Sequence, residues 1–310
     1  MTDGTSRARL TVAIDGRQLS LTNRNKPLWP EGLTKADLIS YLVDISPWLL
    51  PHLEERFLVF TRYPDGINGK SFYQKNLPDR APDWVACEAV WSEDTGRWIR
   101  YARGADRATL AWLGNLAVIE IHPWTSRSGS ADQPDYALID LDPSAGTAFE
   151  DAVTVALKLG DILDHLGLRG YVKTSGATGL HIYIPIEPHY SYADTAGLVR
   201  RLGLLLKHAL PNLVTLERAV RKRRGHVYVD YLQNGRGKTL VGPYVPRPRP
   251  GAPVSFPVLW SDLRHIHPDD FTLQTVPGLL RRGGDRFAAV LAEAQDLRPA
   301  LQALERIGYE

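Results

Sequence analysis

Asp140-Leu141-Asp142 closes the apolar run Tyr136-Ala-Leu-Ile139, one residue before Pro143. On a strand, residues two apart share a face, so two carboxylates project side by side while Ile139 and Leu141 turn into the core. Like charges this close repel unless a cation lies between them. Oxygen-only ligands of this kind suit hard divalent ions such as Mg²⁺ or Mn²⁺. A third carboxylate would help complete a two-metal site, and Asp230 is the best candidate, as the lone acid on Val227-Tyr-Val-Asp-Tyr231. An isolated Asp-x-Asp more often caps the next helix or meets solvent. The Pro143 stop, and an acid set inside a basic segment, favour the metal reading.

Lys173-Thr-Ser-Gly-Ala-Thr-Gly-Leu-His-Ile-Tyr183 carries a glycine-containing loop between two strands. Such a loop can offer backbone N–H groups to phosphate oxygens. Ser175 adds a hydroxyl and His181 projects from the following strand. No Gly-Lys-Ser/Thr ends the loop, so it is not a Walker A motif. A plain turn followed by a core histidine fits the loop alone equally well. Arg223 and Arg247 flank Asp230, and arginine grips phosphate through two oxygens at once. In the N-terminal half, Lys26, Lys35 and Ser71-Phe-Tyr-Gln-Lys75 set lysines and adjacent aromatics where unpaired bases could stack, although such features standing alone are usually solvated or half-buried.

Charge supports this grouping only when divided along the chain. The 310 residues hold 37 Lys+Arg and 35 Asp+Glu, a net +2 that taken alone argues against a strongly basic nucleic-acid binder. Yet residues 218–249 contain nine Lys/Arg against Asp230, and residues 130–165 contain eight acids against Lys158. Two opposed blocks therefore carry the metal and phosphate candidates. Cys87 is the single cysteine, which excludes a disulfide framework, a Cys-rich zinc site and a Cys-ligated iron–sulfur cluster. Met1 to Arg9 has no apolar segment typical of a secretory signal, and no run approaches the ~20 apolar residues of a membrane span. A cytoplasmic protein is expected.

The elements that must position these residues read as follows. Arg9–Ile14 and Gln18–Leu21 alternate around Asp15-Gly16 as a hairpin. Thr34 opens a helix through an imperfect capping box with Asp37, and Pro47 and Pro51 interrupt or end it. Strands are expected at Leu58–Phe60, Val85–Trp91, Trp98–Tyr101, Ala117–Ile121, Tyr136–Leu141, Tyr171–Thr174, Leu180–Ile186 and Val227–Tyr231. Helices are expected at Thr109–Leu116, Thr147–Leu166, Ser191–Ala209 and within Asp285–Ile307, with Arg218–Arg224 a loop. Strands and helices interleave without a fixed βαβ rhythm, which favours an α+β fold with mixed or antiparallel sheets flanked by helices. No linker cuts the chain, so one unit across residues 1–310 is expected.

Together these motifs resemble the polymerase domain of bacterial ligase D, within the archaeo-eukaryotic primase superfamily and active in non-homologous end joining. The resemblance runs from about Leu21 to Leu263. It rests on Asn25-Lys-Pro-Leu-Trp-Pro30, Arg62-Tyr-Pro-Asp-Gly66, Phe72-Tyr-Gln-Lys75, Glu120-Ile-His-Pro-Trp124, Asp140-Leu-Asp-Pro143, Thr174-Ser-Gly176, Gly179-Leu-His-Ile-Tyr183, Asp230-Tyr-Leu-Gln-Asn234 and Tyr244 to Pro253. It implies a primase-polymerase, RRM-like catalytic core at about residues 115–250, an N-terminal part that binds a DNA 5′-phosphate, and a helical tail at about 258–310.

The resemblance also implies roles. Asp140, Asp142 and Asp230 would hold two divalent cations, Mn²⁺ or Mg²⁺, that activate a primer 3′-hydroxyl and steady the leaving pyrophosphate. Ser175, His181, Arg223, Arg247 and His122 would contact the incoming NTP or dNTP. Lys26 and Lys35 would bind a 5′-phosphate across a gap or break, and Phe72 and Tyr73 would meet the template. Some relatives carry a basic residue where this chain has Thr178, which leaves the loop's own share of triphosphate binding open. No Lys-x-Asp-Gly of the ligase type is present, so a free-standing polymerase is expected, with a separate DNA ligase and a Ku-type end-binding protein as partners at the nucleoid. A de novo primase and a non-catalytic end-bridging module are the alternatives.

Overall fold

The computed structural model describes residues 9–308; all of Met1 to Arg9 except Arg9 lies outside them. Leu10–Ile14 and Arg17–Leu21 form the expected hairpin, with Ile14 opposite Arg17. Its two-residue turn has φ of 50° at Asp15 and 78° at Gly16, the pair of positive values that matches the twist of antiparallel strands. The helix Lys35–Asp44 begins at Thr34, whose hydroxyl accepts from the Asp37 N–H while the Asp37 carboxylate accepts from the Thr34 N–H. The capping box is thus complete, because Asp reaches back as Glu does in the usual form. The helical run is interrupted after Asp44, and Pro47 sits in the first turn of a second helix, Ser46–Leu53, where a missing N–H costs nothing.

Two sheets follow. In the first, Phe57–Arg62 pairs with Phe72–Gln74, Arg97–Arg103 and Val118–Pro123, and Cys87–Ser92 pairs with Arg97–Arg103. The second runs in the order Val214–Thr215, Val227–Asp230, Tyr136–Pro143, Leu180–Pro185, Tyr171–Thr174, Pro257–Val258. All its pairs are antiparallel except the first. This is the mixed α+β architecture expected. Ala137, Ile139 and Leu141 point to a core shared with Val153, Ala156, Leu198 and Leu202 of the helices Phe149–His165 and Tyr192–Ala209. Tyr136 and Leu138 turn to the other face, beside Tyr183, Phe287 and Val290. Period two thus puts Asp140 and Asp142 on this second face, above an aromatic floor.

The two sheets are tied by a buried ion pair. Arg56, just before the Phe57 strand, donates to both carboxylate oxygens of Asp135 at 2.8 and 2.6 Å, just before the Tyr136 strand. Both ends of the chain reinforce the second sheet. Trp29 Nε1 donates to the Arg247 carbonyl at 3.2 Å, and the Tyr41 hydroxyl donates to the Tyr244 carbonyl at 2.6 Å. From the C-terminal side, the Phe287 ring meets Tyr183 edge-on at 5.1 Å, and Gln295 donates to the Pro185 carbonyl. Among the described residues no helix is long and apolar enough to cross a membrane.

Candidate active site

One rung of the second sheet carries most of the site. Pro257, Lys173, His181, Asp140 and Asp230 lie opposite one another in turn across five neighbouring strands. Asp142 stands two residues along, opposite Tyr228. His181 Nε2 lies 3.5 Å from Asp140 Oδ1, and its Nδ1 lies 2.8 Å from Lys173 Nζ. Asp230 accepts from the Tyr228 hydroxyl at 3.1 Å and from the Leu232 N–H at 3.0 Å. Asn234 secures the rung from one side: its amide donates to the Leu138 carbonyl at 2.7 Å and its Oδ1 accepts from the Leu138 N–H at 2.8 Å.

The electrostatics fit a cation. Burial raises the Asp140 carboxyl, the charges of Asp142 and Asp230 add to it, and the group is pushed up to about 7 despite Lys173 and Arg247 nearby. Burial also raises Asp142, with Arg223 opposing and Asp230 adding. A carboxylate cluster held together against its own repulsion is a hard-oxygen donor set that a divalent ion neutralises. The oxygens of the three aspartates do not all close to within 4.8 Å of one another; among the described residues only Glu187, His189 and Asp296 do. Two ions roughly 3.5–4 Å apart need ligands spread more widely than one ion does. The Glu187 group lies beyond the opposite end of the strand that carries His181, and Asp296 already accepts from Tyr190 and Arg298.

His122, Asp140, Asp142, Ser175, Thr178, His181 and Arg247 line one cavity of about 260 Å³. The loop that closes it is fixed by its glycines. A Cβ on Gly179 would lie 2.1 Å from the Leu141 carbonyl, and one on Gly176, where φ is +67°, would lie 2.7 Å from Arg247 Cγ. The loop therefore rests directly on the strand of Asp140. Ser175 Oγ accepts from the Ala177 and Gly179 N–H groups at 3.1 and 3.0 Å, which shapes the loop and leaves the hydroxyl proton to donate. Thr178 brings no charge, so cations reach the cavity from elsewhere.

Arg247 is one source. It donates to Glu120 at 2.9 Å and to the Ser175 carbonyl at 2.5 Å. Burial alone would raise Glu120, but the hydrogen bond and charge of His122, then Arg247 and Thr61, bring it down to about 2. Arg223 is not among the residues that line the cavity, although its charge acts on Asp142. Its guanidinium lies 3.4 Å over the Tyr228 ring, opposite Asp142 in the sheet, with donors spent on the Glu217 and Arg218 carbonyls. His122 Nε2 lies 3.2 Å from Thr61 Oγ1.

The N-terminal candidates separate. Tyr73 reaches the cavity edge, with its ring 6.2 Å from His122 and its hydroxyl 3.5 Å from Thr239. Phe72 lies beneath Lys70, whose Nζ is 5.4 Å from the ring centre; neighbours on a strand point to opposite faces. Lys26 is half-buried and pairs with Asp65 at 2.5 Å. Lys35 is buried, donating to the Asn115 carbonyl at 3.0 Å and Thr22 at 3.3 Å. Burial, then the charge of Lys26, lowers its ammonium to about 8.

Sequence reasoning missed Lys173, Glu120, Tyr228 and Asn234 as site residues. Lys173 and Asn234 stood at the ends of quoted motifs, and Glu120 two residues before His122. Only the strand register reveals what they hold.

Residues 34–287 match the family described as LigD, primase-polymerase domain. The bifunctional non-homologous end joining protein LigD of Bacillus subtilis is 33% identical over 283 residues, covering 90% of this chain and 45% of that protein. The multifunctional LigD of Mycolicibacterium smegmatis is 31% identical over 285 residues, covering 89% of this chain and 36% of that protein. The chain thus spans less than half the length of these relatives. The polymerase domain of Mycobacterium tuberculosis ligase D, solved in complex with DNA, superposes with a TM-score of 0.82 at 29% identity, covering 89% of this chain and 99% of that one. With a family match that runs over most of its length, this chain belongs to the LigD primase-polymerase domain family.

Proposed function

We propose that this chain adds nucleotides, templated by the opposing strand, to primer 3′ ends at DNA gaps and double-strand breaks. The observation that carries the reading is the row His181–Asp140–Asp230, whose first two members line one cavity with Asp142, Ser175, His122 and Arg247. Asp140, Asp142 and Asp230 would bind two divalent cations, Mg²⁺ or Mn²⁺; bound there, these supply Lewis-acid activation of the 3′-hydroxyl and charge compensation on the pyrophosphate. Ser175 and His181 donate to the triphosphate, and Arg247 and Arg223 offset its charge. His122 and Tyr73 border the side of the cavity where the base and template would lie.

Lys26 and Lys35 form the pocket for a 5′-phosphate on the far side of the gap. Burial, then the charge of Lys26, disfavours the Lys35 ammonium, and an anion bound beside it would relieve that. Phe72 sits with Lys70 on the opposite face of its strand, as a second contact to the template. The described chain works as one unit, with a Ku-type end binder and a DNA ligase as partners at the nucleoid. The test is gap filling on 5′-phosphorylated DNA with NTPs and dNTPs, in Mg²⁺ and in Mn²⁺. Primer extension only in the presence of a divalent ion is expected. Absence of extension under all four conditions would defeat the reading.

A further inference from the structure

Lys173 is fully buried and takes no direct part in the chemistry above. Its surroundings nevertheless fix what it does. The Ser255 hydroxyl donates to the Thr174 carbonyl at 2.8 Å. Its one proton is therefore spent, and Ser255 Oγ can only accept from Lys173 Nζ at 2.5 Å. Burial, then the charge of Arg247, lowers the Lys173 ammonium well below its ordinary range, with Asp140 opposing, but as ammonium or as amine Nζ keeps a hydrogen to donate beyond the one Ser255 takes. The other ring nitrogen, Nε2, faces an acceptor, Asp140 Oδ1, at 3.5 Å, so the second short contact of Nζ, 2.8 Å to His181 Nδ1, is a donation to the ring. The Nζ also stands 5.7 Å from the centre of the Tyr183 ring, a favourable place for a cation.

We infer that Lys173 is a positioning residue that holds His181 in the tautomer with its proton on Nε2. The ring nitrogen facing Asp140 and the cavity is then always a donor. A triphosphate presents only acceptors, so a histidine free to choose either tautomer would spend part of its time offering a lone pair to a lone pair. The rung order Lys173–His181–Asp140 sets the three groups side by side on neighbouring strands, so the proton location is set by sheet register. This inference rests on the proposed role of His181 at the nucleotide, while its first test does not.

The test is long-range ¹H–¹⁵N correlation on the full chain labelled at histidine, with His181 assigned by its loss in His181→Gln. The unliganded protein should show His181 protonated at Nε2 alone. A proton on Nδ1, or a mixture of the two forms, overturns the inference whatever the enzyme does. Lys173→Met should raise the KM for nucleotide about tenfold, the effect of losing one charge-assisted contact, with a smaller change in kcat. The same substitution in a His181→Ala background should add almost nothing, because Lys173 acts through the ring. An equal added loss in that background would overturn the positioning role and leave only a structural one. If Lys173→Met does not fold, the wild-type spectrum decides alone. If the wild-type protein extends no primer, the functional reading fails while the tautomer result stands.

Discussion

Asp230 lies directly opposite Asp140 on the neighbouring antiparallel strand, and the two share a face with Asp142. The three carboxylates come from two segments about ninety residues apart, so sheet pairing alone brings them together. Asp140→Ala or Asp142→Ala is expected to lower nucleotide addition at least about 100-fold, the scale seen when one charge-stabilising group is lost from an active site. DNA binding, followed by fluorescence anisotropy, should change little. Addition that survives within a few-fold in either variant would rule out the metal assignment.

Lys26→Ala should weaken binding to 5′-phosphorylated gaps about tenfold, a charge-assisted contact's worth, and leave unphosphorylated gaps nearly unchanged. The Lys35 ammonium, lowered to about 8, is charged below that value and neutral above it. The ratio of the two affinities should therefore fall as pH rises above about 8, and a bound phosphate will move the midpoint upward. A ratio flat from pH 7 to 10 would remove Lys35 from the pocket. Added salt should weaken both complexes, since phosphate contacts release counterions.

Two glycine-to-alanine changes should act in opposite directions. In Gly179→Ala the new methyl would meet the Leu141 carbonyl at 2.1 Å, and overpacking of this kind costs roughly 1–3 kcal/mol. In Gly197→Ala, within the helix Tyr192–Ala209, the methyl meets nothing within 4 Å, and relief of glycine's backbone entropy adds about 0.5–1 kcal/mol. Thermal denaturation reads both, and primer extension should fall only in the first. A melting temperature that rises in Gly179→Ala would contradict the tight seat of the loop.

Glu120 contributes stability that depends on acid. Its folded value of about 2 lies below the ordinary 4.5, so the contribution is complete above about pH 4.5 and is lost as pH falls from there toward 2. The two values bound it at about 3 kcal/mol. Urea midpoints of wild type and Glu120→Gln should differ at pH 7, and the gap should narrow as pH falls below about 4.5 and close only near 2. A gap as wide near pH 2 as at pH 7 would show that the carboxylate charge is not what matters.

Period-two alternation made the Asp140–Asp142 face legible from the sequence, and the turn at Asp15-Gly16 and the cap at Thr34 were equally plain. Register was not. Nothing local says that Lys173 stands opposite His181, because that pairing is set by the length of the Ser175–Gly179 loop and its seat on Leu141. The same limit applies to Phe72 and Tyr73: read as a pair, they are split by the alternation of their short strand. The burial of Lys35 was not legible either, because it comes from contacts with Thr22 and Asn115, distant in the chain. The interruption expected near Pro47 falls at Ile45, and Pro47 itself starts the next helix, because a proline in a first turn is equally a start.

The contacts of Trp29 with Arg247, Tyr41 with Tyr244, and Phe287 with Tyr183 have a consequence for dissecting the protein. A fragment cut to residues 115–250 would keep all three aspartates, the phosphate loop and both arginines. It would also leave two carbonyls without their donors and open the aromatic floor of the sheet to water. Such a minimal catalytic piece is not portable: grafting the chemistry into another scaffold means carrying both flanks along with it.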